Sequence, residues 1–161
     1  MHFLQYALPE ARSGPPLTVI GVGNAFRGDD AAGLEVARRL SKAHDGGLRV
    51  IAHEGDQSRL VHLWSGSDLA VVVDAAHSGA PAGTVFRFDA ADEPLPAQLL
   101  RGSTHAFGVA EAVELARALG RLPRELIVYA IEGESFETGT GLTPEVERAV
   151  EVVVEELTPS P

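Results

Sequence analysis

Two consecutive carboxylates, Asp29 and Asp30, follow a glycine-rich turn at the end of the first apolar run, residues 17–22. A turn that binds dinucleotide phosphates in this place carries glycines and leaves a helix N-terminus open to an anion. Two acidic side chains repel a phosphate and attract a cation. The turn therefore indicates a metal site or acid–base chemistry, and a nucleotide-binding α/β module is the less favoured alternative.

A third carboxylate, Asp74, ends the most continuous apolar run of the chain, residues 68–74. A buried, ionised carboxylate without a partner is costly. Asp74 could cap the following loop through backbone N–H groups, as strand-terminal aspartates often do, or it could belong to a functional site. The acidic turn at residues 29–30 favours the functional interpretation.

Two histidines are candidates for the same site. His105 lies in a loop that enters a predicted helix, where its ring can point at a ligand, and His77 follows Asp74 by three residues. Two carboxylates and one imidazole suit zinc, nickel, manganese or iron, with positions left for water or substrate. A histidine that merely begins a helix is commoner, and the long separations in sequence are weak evidence by themselves.

Alternating strands and helices must position these residues. Hydrophobic periodicity predicts strands at 17–22, 48–53, 68–74, 84–88 and 125–131, and helices at 30–43, 57–64, 106–119 and 144–157, with Thr143 as N-cap of the last. The fourth strand comes too soon for a helical crossover, so it is expected to be antiparallel or at an edge. This pattern predicts an α/β fold: a twisted, mostly parallel sheet of about five strands with helices on both faces. In such sheets ligands bind at the carboxyl ends of the strands.

The domain organisation is predicted to be simple. Residues 1–16 read as a loose N-terminal leader, residues 17–157 as a single α/β domain, and residues 158–161 as a short tail. A chain of 161 residues is long enough to bury a sizeable core.

Composition and missing motifs exclude several functions. The formal net charge of −10 makes nucleic acid and anionic membranes poor partners. The absence of cysteine excludes disulfides, thiolate metal sites and cysteine nucleophiles. No Gly-x-Ser-x-Gly element or phosphate-binding loop is present, which counts against a serine hydrolase or a nucleotide hydrolase. Without a signal peptide or membrane-length apolar run, a cytoplasmic protein is expected.

A set of short motifs in a fixed order resembles the hydrogenase maturation endopeptidases. That family trims the C-terminus of the large subunit of nickel–iron hydrogenases once nickel has been inserted. The resemblance covers about residues 18–154, and it is carried by residues 21–24, 28–33, 72–75, 83–84, 104–105 with 108–111, and 139–144. It implies a three-layer, phosphorylase/hydrolase-like α/β sandwich, in agreement with the periodicity.

The resemblance also implies roles for individual residues. Asp30, Asp74 and His105 take the positions of the family's metal-contacting and catalytic triad. The implied metal is nickel supplied by the substrate, for which zinc or cadmium could substitute in vitro. The implied partner is a nickel–iron hydrogenase large-subunit precursor, and the enzyme is expected to be a monomer.

Four further residues are candidates for contact with the substrate: Phe26, Arg27, Asp29 and His77. Many family members read Asp-Gly-Gly-Thr after the second strand, where this chain has Glu-Gly-Asp-Gln at residues 54–57, so no substrate contact is carried over there.

The chemistry of cleavage stays open at this stage. The metal could polarise the scissile carbonyl or lower the pKa of an attacking water. Alternatively, Asp30 or Asp74 could act as general base, as in an aspartyl-type peptidase, with the metal serving only for recognition. Other functions compatible with the sequence are a non-catalytic chaperone for the hydrogenase precursor and a peptidase of similar fold, like the spore germination proteases, that acts on another protein.

Overall fold

One five-stranded sheet forms the centre of the computed structural model, which describes residues 17–43, 47–96 and 107–159. The strands are β1 (Leu17–Gly23), β2 (Leu48–Glu54), β3 (Leu69–Ala76), β4 (Val85–Asp89) and β5 (Glu125–Glu132). Their order across the sheet is β2-β1-β3-β5-β4, and all neighbours are parallel except β4 and β5. The predicted fold class and the predicted antiparallel edge strand are thus confirmed.

Helices cover both faces of the sheet. They are α1 (Ala32–Ala43), α2 (Leu60–Leu63), α3 (Val109–Ala118) and α4 (Pro144–Leu157), and two short 3-10 turns lie at Gly28–Ala31 and Gln57–Arg59. Residues of α1 and α4 form one apolar cluster with the sheet, whereas residues of α2 and α3 form another on the opposite face. The result is a three-layer α/β sandwich.

The central strand β3 is buried along its whole length. Because side chains alternate along a strand, Val71 and Val73 pack toward α1 and α4, and Val72 and Ala76 pack toward α2 and α3. A fully buried valine stabilises the fold by roughly 1.5–3 kcal/mol relative to an exposed one. Asp74 lies between Val72 and Ala76 in this alternation, so its side chain is on the α2–α3 face.

A close approach between helix and sheet fixes the start of α1. Gly33 packs so tightly that a Cβ atom there would lie 2.2 Å from the carbonyl oxygen of Val73 and 2.5 Å from that of Val22. Only glycine permits this contact. The approach brings the turn before α1, which contains Asp29 and Asp30, against β3.

Several predicted boundaries differ from the structure. The first helix begins at Ala32, and Asp30 belongs to the preceding 3-10 turn. The expected helix at 57–64 divides into a 3-10 turn and α2, and β3 continues two residues beyond Asp74. The predicted N-cap, Thr143, is at the expected position, but its side chain makes no capping hydrogen bond.

Some of the predictions concern residues outside the described ranges. The leader at 1–16, the beginning of the predicted helix at 106 and the end of the tail at 160–161 all lie there. Among the helices of the described ranges, none combines the length and the apolar character that crossing a membrane requires.

Candidate active site

Asp74 is a buried carboxyl near the carboxyl end of the central strand, with 6% of its surface exposed. Its Oδ1 accepts a hydrogen bond of 2.8 Å from the N–H of Ala75. Burial raises the pKa of Asp74 to about 8; the Ala75 N–H opposes this rise, and the negative charge of Asp30 adds to it. A carboxyl group with such a pKa keeps its proton at neutral pH in the free protein, which is a common property of functional sites.

Asp30 is the second buried carboxyl of this edge, with 4% exposed. It lies in the turn between β1 and α1, and its backbone N–H donates to the carbonyl oxygen of Arg27 at 3.0 Å. The same Arg27 places Nη1 3.8 Å from Oδ2 of Asp30. The 3-10 turn that contains Asp30 contacts β3, which contains Asp74, so the structure brings together these two members of the predicted triad.

Asp29 has a different environment from its neighbour, being fully buried. Its Oδ2 accepts hydrogen bonds from the N–H of Glu134 at 2.8 Å, the N–H of Ser135 at 3.0 Å and Oγ1 of Thr143 at 2.9 Å. Its Oδ1 accepts from the N–H of Thr143 at 2.8 Å. These four bonds hold the loop between β5 and α4, and they explain why Thr143 does not cap α4. This geometry gives Asp29 a structural task and leaves it no exposed surface for a substrate.

Gly28 makes the contact of Asp29 with this loop possible. Its φ of +52° lies in the left-handed region, and a Cβ atom there would approach the carbonyl oxygen of Ser135 to 2.5 Å. The next residue, Asp29, donates its own N–H to that same oxygen at 2.8 Å. The glycine thus allows the acidic turn and the loop after β5 to meet backbone to backbone.

Glu132, at the end of β5, is a buried carboxylate that the sequence analysis did not single out. It accepts hydrogen bonds from the N–H of Ser78 at 2.8 and 2.9 Å, from the N–H of Ala80 at 3.2 Å and from the hydroxyl of Ser78. It therefore holds the loop after β3 as Asp29 holds the loop after β5. The signal was present in the sequence, because Glu132 ends an apolar run as Asp74 does.

His77 and Phe136 join these two loops. Their rings stack with centroids 5.0 Å apart and an interplanar angle of 6°. His77 follows β3 and is exposed, so it can meet a substrate at this edge. Its ring is engaged with an aromatic partner, and its predicted contact with substrate stays a prediction.

Phe26 is at the tip of the loop after β1, with 72% of its surface exposed. The loop is ordered by hydrogen bonds: the N–H of Phe26 donates to Oδ1 of Asn24 at 2.9 Å, and the N–H of Ala25 donates to Oε1 of Glu54 at 2.8 Å. The N–H of Gly139 donates to the carbonyl oxygen of Phe26 at 2.8 Å. A hydrogen-bonded loop thus presents an aromatic ring to solvent four residues before Asp30, and the predicted contact of Phe26 with substrate stays a prediction.

The third predicted triad member, His105, lies outside the described residues. The helix that follows it, α3, begins at the same edge of the sheet as Asp74. This direction follows from the other end of α3, where Arg117 donates to the carbonyl oxygen of Ala90, just after β4, at 2.8 Å. At the beginning of α3, Oε2 of Glu111 accepts from the N–H of Gly108 at 3.1 Å.

The chemistry of the acid pair fits a divalent cation. When both carboxyl groups are ionised, a shared positive ion offsets their repulsion, and oxygen donors with an imidazole suit nickel or zinc. Within the three described ranges, no three side chains of histidine, aspartate or glutamate already form a group that could hold a metal. A cation held by Asp30 and Asp74 would need a further donor from outside the described side chains or from a substrate.

The sheet, the covering helices and the acidic edge define this protein as a three-layer α/β protein with a carboxylate site at the carboxyl ends of its strands. Comparison with known families then gives the particular family: a model described as hydrogenase maturation protease, HycI, matches residues 35–160. The chain is 30% identical over 153 residues to the hydrogenase 2 maturation protease of Escherichia coli K12, covering 88% of this chain and 87% of that protein. The chain belongs to the hydrogenase maturation protease family and is a peptidase.

Solved structures agree with this assignment. The hydrogenase maturating endopeptidase HybD of E. coli superposes with a TM-score of 0.74 at 26% identity, covering 89% of this chain and 90% of that one. The [NiFe] hydrogenase maturation protease HybD of Thermococcus kodakarensis gives a TM-score of 0.70 at 29% identity, with 88% and 95% covered. The family model begins after the acidic turn, so the position of Asp30 in the site rests on the geometry described above.

Proposed function

We propose that this peptidase removes the C-terminal extension of a nickel–iron hydrogenase large-subunit precursor after nickel insertion. The observation that carries the proposal is the pair of buried carboxyl groups Asp30 and Asp74 at the carboxyl edge of the sheet, where burial and the charge of Asp30 raise the pKa of Asp74. A cation would allow both groups to be ionised together, and a nickel-loaded precursor brings one. Support for the substrate class comes from membership of the hydrogenase maturation protease family.

Nickel belongs to the substrate in this proposal. Asp30, Asp74 and His105 contact it and thereby test whether the precursor has been loaded; zinc or cadmium could take its place in vitro. Because Asp74 holds a proton at neutral pH in the free protein, contact with the metal requires that proton to leave. Bound nickel supplies electrostatic attraction for the peptide carbonyl close to the acid pair.

Hydrolysis itself requires a proton acceptor and donor. A water oxygen bonds to the scissile carbonyl carbon, the C–N bond breaks, and a proton passes to the leaving nitrogen. In this proposal the carboxyl groups of Asp30 and Asp74 receive and return that proton. With no cysteine in the chain, no thioester intermediate can form.

The exposed loop tip adds a docking contact. Phe26 supplies an apolar ring, and His77 stacked on Phe136 supplies a second flat surface at the same edge of the sheet. We assign both to the binding of the precursor near the scissile bond.

The test is the mass of a purified, nickel-loaded precursor after incubation with the wild-type chain, with Asp74→Asn and with Asp92→Asn. Asp92 is exposed and lies just after β4, whose antiparallel course ends at the opposite edge of the sheet, so it gives a matched control. We expect the wild type and Asp92→Asn to shorten the precursor, and Asp74→Asn to lower the rate by at least about 100-fold. Binding without any loss of mass would instead support the chaperone function, and full activity of Asp74→Asn would contradict the assigned site.

A further inference from the structure

The guanidinium of Arg27 forms an ion pair with Asp30, one of the two members of the acid pair. Its Nη1 lies 3.8 Å from Oδ2 of Asp30, and 22% of its side chain is exposed. The backbone of Arg27 is fixed on both sides: its N–H donates to the carbonyl oxygen of Asn24 at 3.3 Å, and its carbonyl oxygen accepts from the N–H of Asp30 at 3.0 Å. The turn therefore holds this positive charge beside Asp30.

A guanidinium and a metal ion compete at such a site, because both are positively charged. The guanidinium remains protonated and has no electron pair to offer a metal. It offsets the negative charge of Asp30 while no metal is present. A divalent ion bound to Asp30 would stand within several ångströms of this fixed positive charge and be repelled by it.

We propose that Arg27 is the resident counterion of Asp30 and sets how strongly the acid pair binds a free metal ion. It weakens the binding of free divalent cations, so that the pair accepts nickel only when the ion is presented by a docked precursor whose other contacts offset the repulsion. The inference rests on the proposed function, because it takes the acid pair as the place where the nickel of the substrate is recognised. In this proposal Arg27 acts on the binding of the metal through Asp30, and this role is distinct from contact with the peptide.

The experiment is titration calorimetry of the full chain with nickel chloride alone. The variants are Arg27→Met and Arg27→Gln, which remove the charge, and Arg27→Lys, which keeps it. The matched control is Arg38→Met, which removes an exposed arginine paired with Glu35 on α1. Far-UV circular dichroism and a thermal melt establish that each variant is folded.

The expected result is an at least roughly tenfold lower Kd for nickel in Arg27→Met and Arg27→Gln; tenfold is the size of the repulsion between a unit charge and a divalent ion about 6 Å apart in bulk water, and burial of the pair increases it. Arg27→Lys should stay within about threefold of the wild type, and Arg38→Met within about twofold. An unchanged or weaker affinity in both neutral variants would overturn the proposal. An equal gain in Arg38→Met would also overturn it, since the effect would then come from net charge.

This outcome can be separated from that of the peptidase assay. A wild-type chain that fails to shorten any nickel-loaded precursor would contradict the proposed function. The calorimetric comparison uses no precursor, so it still reports whether Arg27 opposes the binding of metal.

Discussion

Replacing Asp29 by asparagine tests the idea that neighbouring acids in one turn have separate tasks. The carboxylate of Asp29 accepts four hydrogen bonds, three of them from backbone N–H groups of Glu134, Ser135 and Thr143. Asparagine has the same shape, but it has only one oxygen. Whichever way the amide is turned, its NH₂ group faces at least one backbone donor that it cannot satisfy.

The magnitude follows from these bonds. If the amide oxygen takes the Oδ2 position, the N–H of Thr143 loses its acceptor and remains buried, at a cost of roughly 1–3 kcal/mol. The remaining bonds lose the assistance of a negative charge and weaken further. We expect Asp29→Asn to lower the free energy of unfolding by about 3 kcal/mol, which corresponds to a melting temperature about 10 °C lower for a domain of this size.

Urea unfolding followed by circular dichroism gives the free energy, and amide hydrogen exchange locates the effect. Exchange should accelerate at residues 134, 135 and 143 before it does so in the central strand. Asp92→Asn, at an exposed carboxylate, should change the stability by less than about 0.5 kcal/mol. A stability of Asp29→Asn within about 1 kcal/mol of the wild type would refute the reasoning, as would uniform acceleration across the sheet.

Three further predictions concern the helix start, the loop tip and the acid pair. Gly33→Ala should lower the free energy of unfolding by about 3 kcal/mol, because its Cβ atom would meet two backbone oxygens, whereas Gly141→Ala, with open space around it, should be close to neutral in urea unfolding. Phe26→Ser should raise the KM for precursor cleavage about tenfold without changing the melting temperature, since the ring is exposed; a large loss of stability would mean that the ring packs within the fold. For Asp74 the folded pKa is above the unfolded one, so the folded protein binds the extra proton and its stability falls as pH rises from about 4 to about 8. Asp74→Asn should lack that decline, and parallel curves of unfolding free energy against pH would contradict the raised pKa.

The sequence was sufficient to predict the architecture because its signals were strong and local. Continuous apolar runs at the strands, glycines at the turns and a proline after Thr143 determine where elements begin and end. The short interval before β4 also excluded a helical crossover, which correctly predicted the antiparallel edge strand. The errors fell at boundaries, where hydrogen bonds to distant residues decide the outcome, as at the 3-10 turn before α1.

The site was predictable as a location but not as a set of separate roles. Alternation of strands and helices places the carboxylates at one edge, and this placement is what the structure shows for Asp30 and Asp74. Which of two adjacent aspartates points into the loop after β5 depends on contacts more than 100 residues away in sequence. Local pattern contains no information on such contacts, so Asp29 and Glu132 could not be separated from the acids of the site.

The hydrogen bonds themselves now distinguish structural from functional carboxylates at this edge. Asp29 and Glu132 are buried and surrounded by donors, so each compensates for its own desolvation and holds a loop. Asp74 is as deeply placed, yet among the described residues it accepts one hydrogen bond, from the N–H of Ala75, and the charge of Asp30 disfavours its ionised form. A fold that satisfies two buried acids so completely and leaves a third with a raised pKa retains a cost that a bound cation can remove. Among the described residues Asp74 therefore keeps an uncompensated cost of burial, and the proposed function assigns this cost to the recognition of a metal-loaded substrate.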